Sequence, residues 1–128
     1  MRFHHVGCLS ETLEEGIARF IAFGFEPCSP QVVISSQGVR VCLLAHPSSP
    51  TMIEIVEPLE DGTLRSLYDD GHRLYHVGME VADFDARVSE AEEAGSFSLG
   101  IFESELFAGR RCVFLVGRDR VLVEYVEA

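Results

Sequence analysis

The chain repeats itself, and this repeat limits the possible folds more than any other feature. The segment Phe3-His4-His5-Val6-Gly7 returns as Leu74-Tyr75-His76-Val77-Gly78, 71 positions later. With a one-residue shortening, Ile53–Glu57 also falls on Val123–Glu127. Self-similarity of this kind indicates one supersecondary unit that occurs twice. We therefore predict a single domain over residues 1–128, with one copy at 1–58, a second at 73–128 and a linker at 59–72.

Each copy has the pattern of a strand, a helix and three further strands. Thr12 and Glu15 fit a capping box at the start of the first helix, and Asp83 is the predicted cap of the second. Turn signals then separate three strands in each copy. These strands are predicted at 26–35, 38–45 and 51–56, and at 98–103, 110–116 and 121–126. One short helix is predicted in the linker, so the chain is of the α+β class.

Four residues with metal-binding chemistry recur through the repeat. Each copy carries a histidine on its first strand, His5 or His76, and a glutamate in its last strand, Glu54 or Glu124. A carboxylate among apolar strand residues is costly to bury unless a partner compensates it. If the copies pack about a two-fold axis, two imidazoles and two carboxylates meet at one point. This mixed set suits Zn, Ni, Co, Fe or Mn. His4 is not predicted as a ligand, because it aligns with Tyr75.

Composition excludes several other chemistries. All ten basic residues are arginines, so lysine-dependent Schiff-base chemistry and a Walker phosphate loop are excluded. The net charge of -11 argues against a nucleic-acid partner. No apolar run approaches the ~20 residues that span a membrane, so no membrane partner is expected. Four cysteines without a CxxC spacing are predicted to be reduced thiols in a cytoplasmic protein.

These motifs resemble those of the vicinal oxygen chelate superfamily, which includes glyoxalase I, extradiol dioxygenases, methylmalonyl-CoA epimerase and the fosfomycin and bleomycin resistance proteins. The most similar pattern is that of methylmalonyl-CoA epimerase, and the resemblance covers nearly the whole chain. It rests on four segments: His5-Val6-Gly7, Ile53-Glu54-Ile55-Val56-Glu57-Pro58-Leu59, Tyr75-His76-Val77-Gly78-Met79-Glu80-Val81 and Val121-Leu122-Val123-Glu124. The resemblance implies a half-open, eight-stranded barrel-like mixed sheet with helices outside. It also implies metal ligation by His5, Glu54, His76 and Glu124.

The implied activity is that of a metal-dependent isomerase or lyase. Such an enzyme promotes enolisation next to the carbonyl of a small acid or an acyl-CoA thioester, with Glu124 or Glu54 moving the proton. The strand at 39–43 lacks the second acid that some similar epimerases carry, so a one-base mechanism or no epimerase activity is expected. The alternative is a small-molecule binding or drug resistance protein of the same fold, without catalysis. A scaffold that keeps the metal only as a structural staple is a third possibility.

Two further expectations concern partners. Arg110 and Arg111 are candidate residues for binding a substrate anion. A homodimer is predicted, because half-barrels expose apolar strand edges.

Overall fold

A computed structural model describes residues 1–128, with nine strands and three helices. The first copy forms β1 (Arg2–Leu9), α1 (Leu13–Ile21), β2 (Glu26–Pro27), β3 (Val32–Ile34), β4 (Val39–His46) and β5 (Ser49–Pro58). The linker contains α2 (Thr63–Asp69). The second copy forms β6 (Leu74–Val81), α3 (Phe84–Glu93), β7 (Phe97–Ser104), β8 (Arg110–Val116) and β9 (Leu122–Glu127). Short 3₁₀ turns at Ser35–Gln37 and Glu105–Phe107 precede β4 and β8.

The strands form one mixed sheet with the two copies side by side. Its order is β2-β4-β5-β1-β6-β9-β8-β7, and β3 also pairs with β4. At the centre, β1 runs antiparallel to β6, with Val6 opposite Val77. The last strand of each copy pairs in parallel with the first, as β5 with β1 and β9 with β6. The sheet does not close, so the predicted half-open α+β fold is confirmed.

The two longer helices cover the outer face of the sheet. Leu13 of α1 is fully buried in a cluster with Cys8, Cys42, Leu44 and Ile55. The second copy has an equivalent cluster, in which Phe84 and Val88 of α3 pack on Val81, Val113 and Leu115. Because strand side chains alternate between faces, the residues between these positions point to the concave face.

The strand predicted at 26–35 is wrong as a single element. Two short strands, β2 and β3, replace it, because Pro27 and Pro30 have no N–H to donate to a ladder. The Ser29 hydroxyl accepts a hydrogen bond from the Leu43 N–H at 2.9 Å and so fills part of the gap. The corresponding strand β7 of the second copy is continuous.

The two predicted helix caps have different outcomes. Thr12 Oγ1 accepts a hydrogen bond from the Glu15 N–H at 3.1 Å, as predicted. Asp83 precedes α3 but makes no side-chain cap bond, so the prediction that it caps the helix is wrong. Its φ of 51° places the backbone in the left-handed region, whereas a capping side chain reaches the first turn from an extended residue.

None of the three helices combines the length and apolar character needed to cross a bilayer. All four cysteines are free thiols; Cys28 is exposed and the others are buried.

Candidate metal centre

The four predicted ligands meet on the concave face, where β1 and β6 adjoin β5 and β9. His5 Nε2 lies 2.9 Å from His76 Nε2 and 3.1 Å from Glu124 Oε1. The donor atoms of these three residues all lie within 4.8 Å of one another. Glu54 is the outer member: its Oε1 lies 3.4 Å from His76 Nε2. All four side chains are buried.

The antiparallel register explains why a glycine follows each histidine two positions later. His5 lies opposite Gly78, and His76 lies opposite Gly7. A Cβ at Gly78 would come 2.0 Å from His5 Cε1, and one at Gly7 would come 2.1 Å from His76 Cε1. Only glycine leaves space for the imidazole across the central ladder. The His-Val-Gly triplet is therefore a packing unit as well as a predicted ligand motif.

His4 is a neighbour of the site that the repeat comparison set aside. Its side chain is buried, and its Nδ1 lies 2.8 Å from Nδ1 of His5. Burial lowers the pKa of His4 to about 4 and also lowers the pKa of His5, so both rings are neutral near pH 7. A neutral His5 that donates its Nδ1 proton to His4 keeps the Nε2 lone pair free for a metal ion. Phe107 packs against both rings, with centroids 5.3 and 5.6 Å away.

Burial makes the carboxylates expensive to ionise without a cation. Desolvation raises the pKa of Glu54 to about 8, with a further increase from Glu124 and an opposing effect from His5. Desolvation likewise raises the pKa of Glu124 to about 8. Burial and then the charge of His5 lower the pKa of His76 well below its usual value. The imidazoles are therefore already in the neutral form that binds a metal ion. A divalent cation would also favour the ionised form of the two buried carboxyl groups.

The donor set fits a divalent metal ion. Glu124 Oε1 is buried and has no hydrogen bond, although it lies close to His5 Nε2. An unsatisfied buried carboxylate oxygen is costly, and it is aimed at two imidazole nitrogens. Two histidines with one or two carboxylates are a ligand set found for Zn, Fe, Ni, Co and Mn. His5, His76, Glu124 and Glu54 would hold the ion.

A cavity of about 340 Å³ opens beside the carboxylates. Glu54 and Glu124 form part of its wall, together with apolar side chains from both copies and from the linker helix. Phe102 and Phe114 stack in this wall with centroids 5.8 Å apart. The volume lies at the low end of the ~300–1,000 Å³ range of ligand pockets, so the cavity suits a small molecule.

Arg110 and Arg111 do not line this cavity. Arg110 contacts Glu80 at 2.9 Å and the Glu127 carbonyl at 3.1 Å. Arg111 contacts Asp85 and Glu127, each at 2.8 Å. Both guanidinium groups are thus paired with groups of the same chain, and their role toward a substrate anion stays a prediction.

Three contributors to the site were not identified from the sequence. They are the two glycines opposite the histidines, the neighbour His4, and the linker residues Glu60–Leu64 that border the cavity. The repeated Gly two positions after each His was a visible signal for the first. His4 and the linker residues contribute through tertiary contacts, and neither has an equivalent in the other copy.

Comparisons with known proteins agree with this geometry. A family model described as the Glyoxalase/Bleomycin resistance protein/Dioxygenase superfamily matches residues 4–114. No curated protein sequence matches the chain.

Among solved structures, a hypothetical protein from Bacillus halodurans C-125 is similar with a TM-score of 0.85 and 19% identity, over 99% of this chain and 94% of that one. Methylmalonyl-CoA epimerase from Mycobacterium tuberculosis is similar with a TM-score of 0.84 and 25% identity, over 98% of this chain and 87% of that one. A variant of the Streptomyces coelicolor methylmalonyl-CoA epimerase in complex with 2-nitronate-propionyl-CoA gives 0.83 and 25%, over 100% and 97%.

Proposed function

Since the chain belongs to the glyoxalase/bleomycin resistance/dioxygenase superfamily, we propose that it is a metal-dependent isomerase or lyase that promotes enolisation next to a carbonyl group. The observation that carries the proposal is the convergence of His5, His76 and Glu124 within 4.8 Å, with a carboxylate oxygen left unsatisfied. Similarity to methylmalonyl-CoA epimerases supports the isomerase class. We propose as well that residues 1–128 form one domain of two copies, 1–58 and 73–128.

The proton-transfer role falls to a glutamate of the site. A bound metal ion would supply Lewis acidity toward a substrate carbonyl and so acidify the adjacent C–H bond. Glu54 and Glu124 both line the cavity, so either carboxylate reaches a bound substrate. Glu54 is the better candidate base, because it lies outside the tight group formed by the other three donors. The surrounding apolar wall excludes water from the carboxylate and the substrate.

The test combines metal analysis with solvent-deuterium exchange into enolisable carbonyl compounds, including 2-substituted acyl-CoA esters and 2-oxo acids. Glu54→Gln keeps an oxygen donor but cannot take a proton. We expect this variant to retain metal and to lose at least ~10²-fold in exchange rate. Glu124→Gln is expected to weaken metal binding as well, because Glu124 is a member of the tight donor group.

The outcomes separate the proposal from its alternative. Bound metal without exchange on any compound would favour a small-molecule binding or resistance protein of the same fold. Full exchange activity in both glutamine variants with metal retained would contradict carboxylate proton transfer.

We also propose that the protein is a homodimer formed through β7, and that it acts in the cytoplasm. The edge strand β7 exposes Phe97, Leu99 and Ile101, and apolar side chains on an unpaired strand favour association. The free cysteines support a reducing compartment. Ile101→Lys should shift the sedimentation of a dimer to that of a monomer, whereas Val33→Lys on the opposite edge should not. A wild-type chain that sediments only as a monomer at micromolar concentration would contradict the dimer.

A further inference from the structure

The cavity wall contains four carboxyl groups and no cationic side chain. Glu54 and Glu124 lie at the metal centre, and Glu60 and Asp61 lie in the exposed linker at the rim. Ten of the nineteen lining residues are hydrophobic. A ligand that enters this cavity therefore meets apolar surface and carboxyl groups, and no cationic side chain that would pair with an anion.

All ten arginines lie elsewhere. Arg40 is on β4 between two lining residues, but its side chain contacts Glu57 at 2.8 Å and Glu14 at 2.9 Å, away from the cavity. Arg65 of the linker helix contacts Glu11 at 3.0 Å and the Pro58 carbonyl at 2.8 Å. The other eight do not line the cavity either: Arg2, Arg19, Arg73, Arg87, Arg110, Arg111, Arg118 and Arg120.

Two ionised glutamates would weaken the attraction of a bound divalent ion for an anion. Held by Glu54 and Glu124, the ion would form a centre with no net charge, whereas one glutamate and one amide would leave a net charge of +1. The rim carboxylates of Glu60 and Asp61 then add negative charge along the entry path. A ligand carboxylate beside Glu60 and Asp61 would be repelled, because no cationic side chain in the wall compensates it.

The wall does offer uncharged hydrogen-bond donors. Tyr75 lines the cavity and packs edge-on against His76, with ring centroids 4.4 Å apart, and its hydroxyl is an uncharged donor. Thr63 and Gln37 also line the cavity. A neutral carbonyl or hydroxyl oxygen would find a donor here, and an aromatic or aliphatic body would pack on Phe102 and Phe114.

We infer that the cavity takes an uncharged, largely apolar carbonyl compound and discriminates against a free carboxylate. This inference rests on the proposed function for the position of the reacting carbonyl, and it narrows the substrate class within that function. Of the two substrate types that the sequence suggested, it excludes a small free acid inside the cavity. A thioester would enter only through an acyl group without a carboxylate.

Two probes of equal size test whether the cavity prefers an uncharged carbonyl compound to a carboxylate. 1-Phenyl-1,2-propanedione and benzoylformate differ only in a methyl group against an anionic oxygen. Titration calorimetry on the metal-loaded protein should give a Kd at least ~10-fold lower for the dione. In the double variant Glu60→Gln/Asp61→Asn, benzoylformate should bind several-fold more tightly, while the affinity of the dione should change little.

A matched variant controls for net charge. Asp69→Asn/Asp70→Asn removes the same two charges from exposed positions that do not line the cavity, and it should leave both affinities unchanged. Benzoylformate binding as tightly as the dione in the wild-type protein would overturn the inference, as would tighter binding of the cation of 2-amino-1-phenylethanone (phenacylammonium). Deuterium exchange into the methyl group of the bound dione tests the proposed function separately. Selective binding without exchange into this dione or any other enolisable compound would contradict that function and leave the ligand class standing.

Discussion

The first half of the chain, residues 1–58, and the second half, residues 73–128, agree at the centre of the sheet and differ at its edges. At the centre each half supplies a histidine, a glycine and a glutamate in equivalent positions. At one edge prolines break the first half into β2 and β3, whereas β7 of the second half is continuous and exposes Phe97 and Ile101. The central strands pair with each other and so constrain each other, whereas the edge strands β2 and β7 lie at opposite ends of the strand order and do not pair.

One difference between the halves lies at the centre itself. His4 occupies the position that Tyr75 has in the second half. His4 Nδ1 contacts His5 Nδ1, whereas His76 Nδ1 is buried without any hydrogen-bond partner. Only one of the two imidazoles therefore has a hydrogen-bond partner at its Nδ1 atom.

The prediction with the largest expected effect tests whether the two halves are equivalent at the centre of the sheet. Gly78→Ala and Gly7→Ala each place a methyl group about 2 Å from the opposite imidazole. We expect both variants to lose metal binding by about 100-fold or more and to lower the free energy of unfolding by about 1–3 kcal/mol. Metal titration and urea unfolding measure the two effects.

Gly62→Ala is the control for these variants, because a Cβ there meets nothing within 4 Å. If only one of the two central glycines tolerated alanine, the halves would not be equivalent at the site.

The second prediction concerns pH. Burial raises the pKa of Glu54 and Glu124 from 4.5 to about 8, so the metal-free folded protein keeps two protons that the unfolded chain loses at lower pH. Its free energy of unfolding therefore falls as pH rises toward 8, by at most about 1.4 kcal/mol per pH unit for each group. The lowered pKa values of the buried histidines act in the opposite direction, but only below about pH 6.5.

Urea unfolding between pH 6.5 and 8 with a chelator present isolates the carboxyl effect. Glu54→Gln and Glu124→Gln should each remove about half of the slope. A flat wild-type profile would show that the two acids are ionised in the metal-free fold.

The third prediction sharpens the difference between His4 and Tyr75. His4→Phe keeps a ring beside Phe107 but removes the hydrogen-bond partner of His5 Nδ1, and it should weaken metal binding by about 10–100-fold. Tyr75→Phe should leave metal affinity within experimental error of wild type. His4→Gln, which retains a hydrogen-bond acceptor, should recover part of the loss. Equal metal affinity in wild type and His4→Phe would contradict the positioning role of His4.

The prediction with the smallest expected effect compares the N-termini of α1 and α3. Thr12→Ala removes a side-chain hydrogen bond to the Glu15 N–H and should lower the free energy of unfolding by about 1 kcal/mol. Asp83→Gly removes no cap bond and relieves a left-handed backbone, so it should be neutral or slightly stabilising. Urea unfolding of the two variants measures both effects. A larger loss for Asp83→Gly than for Thr12→Ala would mean that Asp83 stabilises α3 through a contact other than capping.

The sequence predicted the features that depend on the repeat and on local patterns. The order of elements, the shared concave face of the two glutamates, and the Thr12 cap all follow from periodicity and spacing. Pro27 and Pro30 lack N–H groups and so indicated a break in the strand, but the repeat favoured one continuous strand at 26–35. The His4–His5 contact and the linker's place in the cavity wall could not be predicted, because each depends on tertiary packing of residues that have no equivalent in the other half.

The reciprocal His–Gly register has a consequence for how such a chain arises. The pairing of β1 with β6 matches His with Gly, Val with Val and Gly with His, so a segment of this type is complementary to itself. Two separate copies of one half could assemble all four donors across a symmetric interface. When residues 59–72 join the two halves covalently, their association becomes intramolecular and the effective concentration of each half near the other is high. Covalent joining also allows the two halves to differ in the residues that line the cavity, while each half keeps its own histidine and glutamate at the centre of the sheet.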